Sequence, residues 1–360
     1  MMFSLSSRKN TLDHRSMRLI ATAGLFSLFL LCGTIPSFAK TLSPLFANPE
    51  ISTSDDQTTV IVNDAPEQEV IVIGKSVVVN KNAKGVLAVG GDVVVEEARQ
   101  LAEQGVKEIV LIAQDSSRYG EDLGEVDALA ALIRALGEID GIEWIRPMYA
   151  FPTHISDAFL AAIAETPKAV KYLDMPLQHA SRNVLKLMKR GGTRDSLERL
   201  IGRVRDAVPG IAIRTTFITG FPGETEEDFE ELIKFVQNCR FENLGVFTYS
   251  DEEGTAAYEL PNKVDPKVAM QRRNRLMKEQ AKISKQLNKS RIGNTYKVMF
   301  EGLSQESDLL FQGRLEGQTQ EIDGYILIND MPDDFEPQIG AIYDVKITEA
   351  HAYDLVGEIV

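Results

Sequence analysis

The sequence predicts an α/β chain: a parallel sheet built from βα units, followed by a small all-β barrel. Three observations predict it. From residue 96 onward, short β-branched runs alternate with amphipathic helical stretches, and parallel neighbours need such crossovers. After Gly293 the pattern changes to five short alternating runs separated by Gly, Pro, Asn and Asp, which suits a small barrel. Residues 211–229, IAIRTTFITGFPGETEEDF, hold one complete βα unit. An apolar and β-branched strand breaks at Gly220-Phe221-Pro222-Gly223, and Thr225 then caps a helix whose first turn carries Glu226, Glu227 and Asp228. In sheets of such units ligands sit beyond the carboxyl ends of the strands, here near residues 220–224.

The 360 residues leave room for two or three domains and a sizeable core. A formal charge of −14 argues against wholesale nucleic-acid binding and says nothing about local patches. The two cysteines, Cys32 and Cys239, stand too far apart to form a motif, whereas iron–sulfur clusters need closely spaced thiolates. Cys239, at the end of an expected helix over 226–238, reads as a small packed hydrophobe.

Taken in order, residues 1–39 look like an export leader: Arg15 and Arg18 precede an apolar run to Cys32, and Ser37-Phe38-Ala39 offers a small-x-small cleavage site. The run is too short to be read as a spanning helix. Residues 40–68 are polar, without periodicity, and are expected to be a disordered linker. Residues 69–95 alternate β-branched triplets with Gly, Asn and Lys turns and resemble the opening of a bactofilin-like β-solenoid; with about two rungs it is expected to be marginal alone. The register then switches into a helix over 96–104. The strands expected after it are 108–113, 143–148, 170–175, 211–218 and 244–249, with crossover helices over 126–136, 156–165, 195–208 and 226–238. Residues 96–262 thus form one unit. Residues 263–291 are a long connecting helix rich in Lys and Arg, with Val268, Leu276, Ile283 and Leu287 as its apolar stripe; its basic side reads as a solvated face, with nucleic-acid contact as the alternative. Residues 292–360 form the terminal β-barrel.

Four stretches together carry a family resemblance: VVEEARQLAEQGVKEIVLIAQDSSRYGEDLG, YLDMPLQHASRNVLKLMKRGGTRDSLERLI, the 211–229 stretch, and VFTYSDEEGTAAYELP. Residues 94–360 resemble the radical-SAM methylthiotransferases, above all the RimO branch, which methylthiolates an aspartate of a small-subunit ribosomal protein. The resemblance implies an incomplete radical-SAM (β/α) barrel, lacking its first strand, followed by a TRAM (OB-like) barrel. That loss leaves a sheet edge, which the 70–79 segment is a candidate to cover. The family uses S-adenosylmethionine (SAM) and 4Fe–4S clusters held by cysteine motifs. This sequence has no CxxxCxxC triad, so no cluster is expected on this chain and catalysis is not expected from it alone.

In the resembled enzymes SAM lies across the carboxyl ends of the barrel strands. The matching positions here are Gln114 and Asp115, Gln178, Arg214, Thr216, Gly220 and Tyr249. Amide, guanidinium and hydroxyl groups suit the carboxylate and ribose of SAM, and glycine permits close backbone approach. His179 has no second ligand at a helical or hairpin spacing, so no metal site is assigned to it. No catalytic residue is assigned.

From 291 to 360 stand four basic residues against fourteen acids. Such a barrel is expected to repel tRNA and to attract a basic ribosomal protein. The chain is expected to be a monomer without stable membrane insertion. Cytoplasmic location follows from the resemblance, and a secreted or periplasmic one from the leader. Two other functions remain open: a tRNA methylthiotransferase of the MiaB branch, and an exported, non-enzymatic β-rich binding or structural protein.

Overall fold

A computed structural model describes residues 50–53, 59–73, 76–79, 83–89, 93–304 and 310–360. The export-leader reading of 1–39 lies outside them. Four strands come first: β1 (Glu50–Thr53), β2 (Thr59–Ile73), β3 (Ser76–Val79) and β4 (Ala83–Val89). Strands β1 and β2 run through the stretch expected to be a linker, because TVIVND and its neighbours carry enough β-branched residues to pair. Strand β1 is antiparallel to β2, whereas β3 and β4 both run parallel to β2, with Thr59 opposite Ser76 and Glu69 opposite Gly85. The 70–79 segment therefore pairs within this sheet and does not cover the edge of the next one.

Helix α1 (Val93–Glu103) begins three residues before the expected start, so all three valines of Val93-Val94-Val95 are helical. Five strands follow: β5 (Glu108–Leu111), β6 (Trp144–Pro147), β7 (Tyr172–Asp174), β8 (Ala212–Thr219) and β9 (Asn243–Thr248). All pairings among them are parallel: β5 with β6, and β7 with β8 with β9. Backbone bonds from Ile145 N–H to Lys168 O (2.8 Å) and from Val170 N–H to Ile145 O (3.0 Å) join the two sets into one wall. Among the described residues β5 and β9 each keep one unpaired edge.

The crossover helices are α2 (Ala128–Gly137), α3 (Asp157–Glu165), α4 (Arg182–Leu187), α5 (Arg194–Ala207) and α6 (Glu226–Cys239). The short α4 escaped the sequence reading; six residues are too few to show a period. Both α5 and α6 start on capping boxes, Thr193 with Ser196 and Thr225 with Asp228. Strand β8 alternates strictly. Ile213, Thr215, Phe217 and Thr219 are buried beneath the helices, while Arg214, Thr216 and Ile218 are half-buried on the other face. Phe217, Phe235 and Phe241 meet with centroids 5.8 to 6.2 Å apart, and burying each stabilises the fold by about 1.5–3 kcal/mol.

Helix α7 (Pro266–Lys289) runs the length of the wall. Ala269 lies against Gly220 at the strand ends, and Asn288 Nδ2 reaches His351 O and Ala352 O at the other end. Strands β10 (Thr295–Leu303), β11 (Phe311–Leu315), β12 (Ile326–Asp330), β13 (Ile342–Ala350) and β14 (Leu355–Ile359) close into a barrel in the order β10-β11-β12-β14-β13. A Cβ at Gly313 would stand 2.6 Å from Met299 O, so glycine is what lets β10 and β11 approach there. Among the described residues no helix is long and apolar enough to cross a membrane.

This barrel closes the amino-terminal end of the parallel wall. Met299 packs with Trp144, Met148, Tyr172 and Ala212. Around that contact lies a buried clasp of charge. Arg146 Nε donates to Glu108 Oε1 (2.8 Å), Arg314 Nη2 to Glu108 Oε2, and Arg314 Nε to Glu301 Oε1 (2.5 Å). Both guanidinium groups lie over the Trp144 ring, at 5.9 and 5.1 Å. Tyr172 OH donates to Asp323 Oδ2 (2.7 Å), and burial followed by the Asp323 charge holds its hydroxyl well above the usual range.

Candidate functional site

The carboxyl ends of β5 to β9 form a mouth on the opposite side from the clasp. Thr216 and Phe247 flank Gly245 there: a Cβ on that glycine would lie 3.9 Å from both Thr216 Oγ1 and the Phe247 ring. Phe247 is 62% exposed and Ile112 61%. Gln178, at φ +68°, bonds into the edge of β8 through its own N–H to Thr216 O (2.8 Å) and through its carbonyl from Ile218 N–H (2.8 Å). Its half-buried side chain thereby stays on the mouth with Thr216.

The seven residues expected at the site divide. Gln114, Gln178, Thr216 and Tyr249 stand at the mouth, with Gln114 exposed and the other three half-buried. The Tyr249 ring meets Phe221 edge-on at 5.1 Å, and its hydroxyl donates to Asp251 Oδ1 (2.9 Å). Asp115 is spent on its own loop: Oδ1 accepts from Ser117 N–H (3.1 Å), and Oδ2 lies 2.9 Å from His154 Nδ1.

Arg214 corrects the expectation most clearly. Its Nη1 donates to Asp174 Oδ1 (2.8 Å), and its Nε lies 3.5 Å from Asp323 Oδ1 of the terminal barrel. Burial would lower its pKa, but Asp174, Tyr172 and Asp323 outweigh burial and raise it. Arg214 is thus a clasp residue near the closed end, not a ligand-facing one.

Gly220 serves packing. Its φ is +78°, and a Cβ there would come within 2.3 Å of Ala269 Cβ, so the turn presses against α7.

Behind that turn lies a cluster that the sequence did not reveal. Glu224 Oε2 accepts from Gly220 N–H and from Phe221 N–H (3.1 Å), and Oε1 lies 3.4 Å from Arg272 Nη1 of α7. His179 Nδ1 accepts from Ser181 N–H (3.0 Å), which leaves the proton of a neutral ring on Nε2. That Nε2 faces Glu224 Oε1 at 4.0 Å, and neither atom has a hydrogen-bond partner. Burial pushes Glu224 up to about 7 against the pull of Arg272 and the two N–H groups. Burial likewise pushes His179 down to about 4. Asp228 sits alongside, receiving Ser181 Oγ–H, Thr225 N–H (3.0 Å) and Asn183 Nδ2 (2.8 Å); these bonds overcome burial and hold its carboxyl below the usual range.

Residues 90–236 match the family model of the radical SAM superfamily, and residues 292–360 match that of the TRAM domain. The chain carries a radical SAM domain followed by a TRAM domain. It is 50% identical over 266 residues to the ribosomal protein uS12 methylthiotransferase RimO of Solibacter usitatus, covering 73% of this chain and 57% of that one. It is 48% identical over 266 residues to the protein of the same name from Koribacter versatilis, covering 74% and 53%. This chain spans a little over half the length of these curated relatives. Among solved structures it is similar to coproporphyrinogen III oxidase (HemN) from Escherichia coli, a radical SAM enzyme, with 11% identity and a TM-score of 0.41 over 70% of this chain and 67% of that one.

Radical SAM proteins use SAM and 4Fe–4S clusters. The described residues do not fit a cluster. Cys239 is the cysteine among them; it is buried at the end of α6, and burial pushes its thiol up to about 12, away from the thiolate that ligates iron. No group of three or more His, Cys, Asp or Glu among the described residues is placed to hold a metal. SAM is a better match to the mouth of the radical SAM domain. Thr216, Gln178 and Tyr249 offer hydroxyl and amide groups, and Phe247, across Gly245 from Thr216, offers an apolar face, a mixture that suits a nucleoside.

Proposed function

We propose that this chain is a radical SAM–TRAM module of the RimO type, whose substrate is a basic ribosomal protein of the uS12 kind held by the TRAM barrel. SAM lies at the mouth against Gln114, Gln178, Thr216 and Tyr249. Since the residues present do not fit a cluster, the chain does not perform SAM cleavage by itself, and its location is cytoplasmic, as a monomer.

One observation carries the substrate reading. Every base of the TRAM barrel is already engaged: Arg314 with Glu108 and Glu301, Lys297 with Asp344, Lys346 with Glu358, and Arg291 with Asn288. Asp330, Asp333, Asp334 and Glu336, around the loop between β12 and β13, are exposed and make no ion pair among the described residues. An acidic loop of this kind steers a cationic protein and repels phosphate.

The test uses the whole chain and a purified uS12-type protein. The triple variant Asp333→Asn, Asp334→Asn, Glu336→Gln is expected to associate roughly tenfold more slowly at low salt, with the difference shrinking at physiological salt. Equal association of parent and variant overturns the reading. Anaerobic reconstitution with iron and sulfide, then dithionite and SAM, is expected to give no 5′-deoxyadenosine above background. Product would show a ligand set supplied outside the described residues.

A further inference from the structure

Helix α7 is a strongly basic element of an acidic chain. Between Pro266 and Lys289 it holds eight lysines and arginines and one acid, Glu279, in a protein with 39 bases and 53 acids. The two kinds of base are sorted. The arginines engage the fold: Arg272 donates to Glu224 O and Glu226, Arg273 to Val246 O, and Arg275 to Glu230. The lysines point outward. Lys267, Lys278, Lys282, Lys285 and Lys289 are all exposed, and of these only Lys282 meets an acid, Glu279, among the described residues.

Positions 278, 282, 285 and 289 follow i+4, i+3, i+4 steps, so these lysines share one face, opposite the buried Leu276, Gln280, Ile283 and Asn288. At about 1.5 Å of rise per residue the ridge from Lys267 to Lys289 is about 33 Å long. Like charges at i,i+4 oppose one another by a few tenths of a kcal/mol per pair, so the row is held at a small cost to the helix. The ridge starts beside the mouth, where Ala269 meets Gly220, and ends beside the TRAM barrel, where Asn288 meets His351 and Ala352.

We propose that this lysine ridge binds an RNA phosphate backbone, laid along α7 from the mouth towards the TRAM barrel. A lipid surface fits less well, because the apolar stripe of α7 is already buried and Met270 is its one large exposed hydrophobe. An acidic protein fits less well too: the ridge has no aromatic anchor, its exposed arginine, Arg275, is already paired with Glu226 and Glu230, and lysine is depleted in the cores of protein interfaces. Phosphate binding asks only for mobile point charges in a row. This surface is separate from the acidic TRAM loop, so either assignment can fail without the other.

The test compares the whole chain with the variant Lys278→Gln, Lys282→Gln, Lys285→Gln, Lys289→Gln, which keeps helix propensity nearly unchanged. Circular dichroism melts confirm that both fold. The probes are a labelled RNA hairpin and anionic phospholipid vesicles. The parent is expected to bind RNA with a slope of log affinity against log salt of about −3, roughly a sixtyfold loss between 50 and 200 mM. The variant is expected to lose about tenfold or more at low salt and most of that slope. Equal RNA binding by both, no RNA binding at low salt, or stronger binding to vesicles than to RNA each overturns the proposal. So does concentration-dependent self-association that the variant abolishes while RNA fails to bind, because the ridge then meets the acidic barrel of a second copy.

Discussion

Two buried charge clusters sit at opposite ends of the same parallel strands and are built on different plans. At the closed end, Glu108, Arg146, Arg214, Asp174, Arg314, Glu301 and Asp323 interlock across two domains, and each carboxylate in the set meets at least one guanidinium. At the mouth, Glu224, His179 and Arg272 are equally buried, and Glu224 Oε1, His179 Nε2 and Arg272 Nε all lack hydrogen-bond partners, against Arg146 Nη2 alone at the closed end. The first arrangement fixes a geometry: it holds the TRAM barrel to the radical SAM domain. The second holds a turn, and its protonation state is set by burial more than by pairing. Charge of comparable amount is structural in one place and titratable in the other.

The largest effect is expected from opening the closed end. Arg314→Met removes the cation that Glu108 and Glu301 share across the interface. An unpaired buried charge costs about 3–5 kcal/mol, so the variant is expected to melt far below the parent in chemical denaturation. Because the clasp joins two domains, the single transition is also expected to split, with the TRAM barrel and the radical SAM domain reporting separately by near-UV and far-UV signals. Unchanged stability and one transition would show that Met299 and its apolar neighbours alone seat the barrel.

The two clusters also mark what the sequence discloses. Five strands, their crossovers and the terminal barrel were legible because each rests on local periodicity and turn residues, visible within ten or twenty positions. The clasp was not. Arg214 looked like a ligand-facing cation because Asp174 and Asp323 lie 40 and 109 positions away, in elements whose contact only the tertiary fold decides. A signal did exist: Asp174 and Arg146 interrupt apolar strand segments, YLDM and WIRPM, and a charge there implies a buried partner. His179 and Glu224 gave less, since one histidine and one acid in ordinary turns carry no spacing that links them. The paired stretch 59–68 was misread because its polar residues masked short β-branched runs.

A smaller effect is expected at the turn itself. Gly220→Ala would place its Cβ 2.3 Å from Ala269 Cβ and keep a left-handed backbone at φ +78°. Overpacking and the left-handed penalty together are expected to cost about 2–5 kcal/mol in a thermal or denaturant melt. Adding Ala269→Gly removes the Cβ contact, leaves Ala269 Cα at 3.2 Å and the backbone penalty, and itself costs α7 about 1 kcal/mol, so the double variant, read against the single Ala269→Gly, is expected to recover only part of the loss. Full recovery would mean that φ carries no strain, and none would mean that α7 does not press on the turn.

The subtlest prediction concerns protons at the mouth, where opposing shifts conceal each other. His179 is pushed from an ordinary 6.5 down to about 4, so folding disfavours its charged form. Its contribution to stability is intact above 6.5 and is lost as pH falls towards 4. Glu224 is pushed from 4.5 up to about 7, so its contribution is intact below 4.5 and is lost as pH rises towards 7. Between roughly 4.5 and 6.5 the unfolded chain carries an imidazolium and a carboxylate, while the folded chain holds both groups neutral. The number of bound protons is then the same in the two states, and the pair adds almost no pH dependence. Removing either member should expose the other. Glu224→Gln is expected to make stability rise with pH across this window, by at most about 1.4 kcal/mol per unit, and His179→Gln to make it fall by a comparable slope. Each denaturation series is read against the parent at the same pH, so titrations elsewhere in the chain cancel. Two variants with slopes of the same sign, or both matching the parent, would separate the histidine from the carboxyl and leave the turn held by Arg272 and the backbone amides alone.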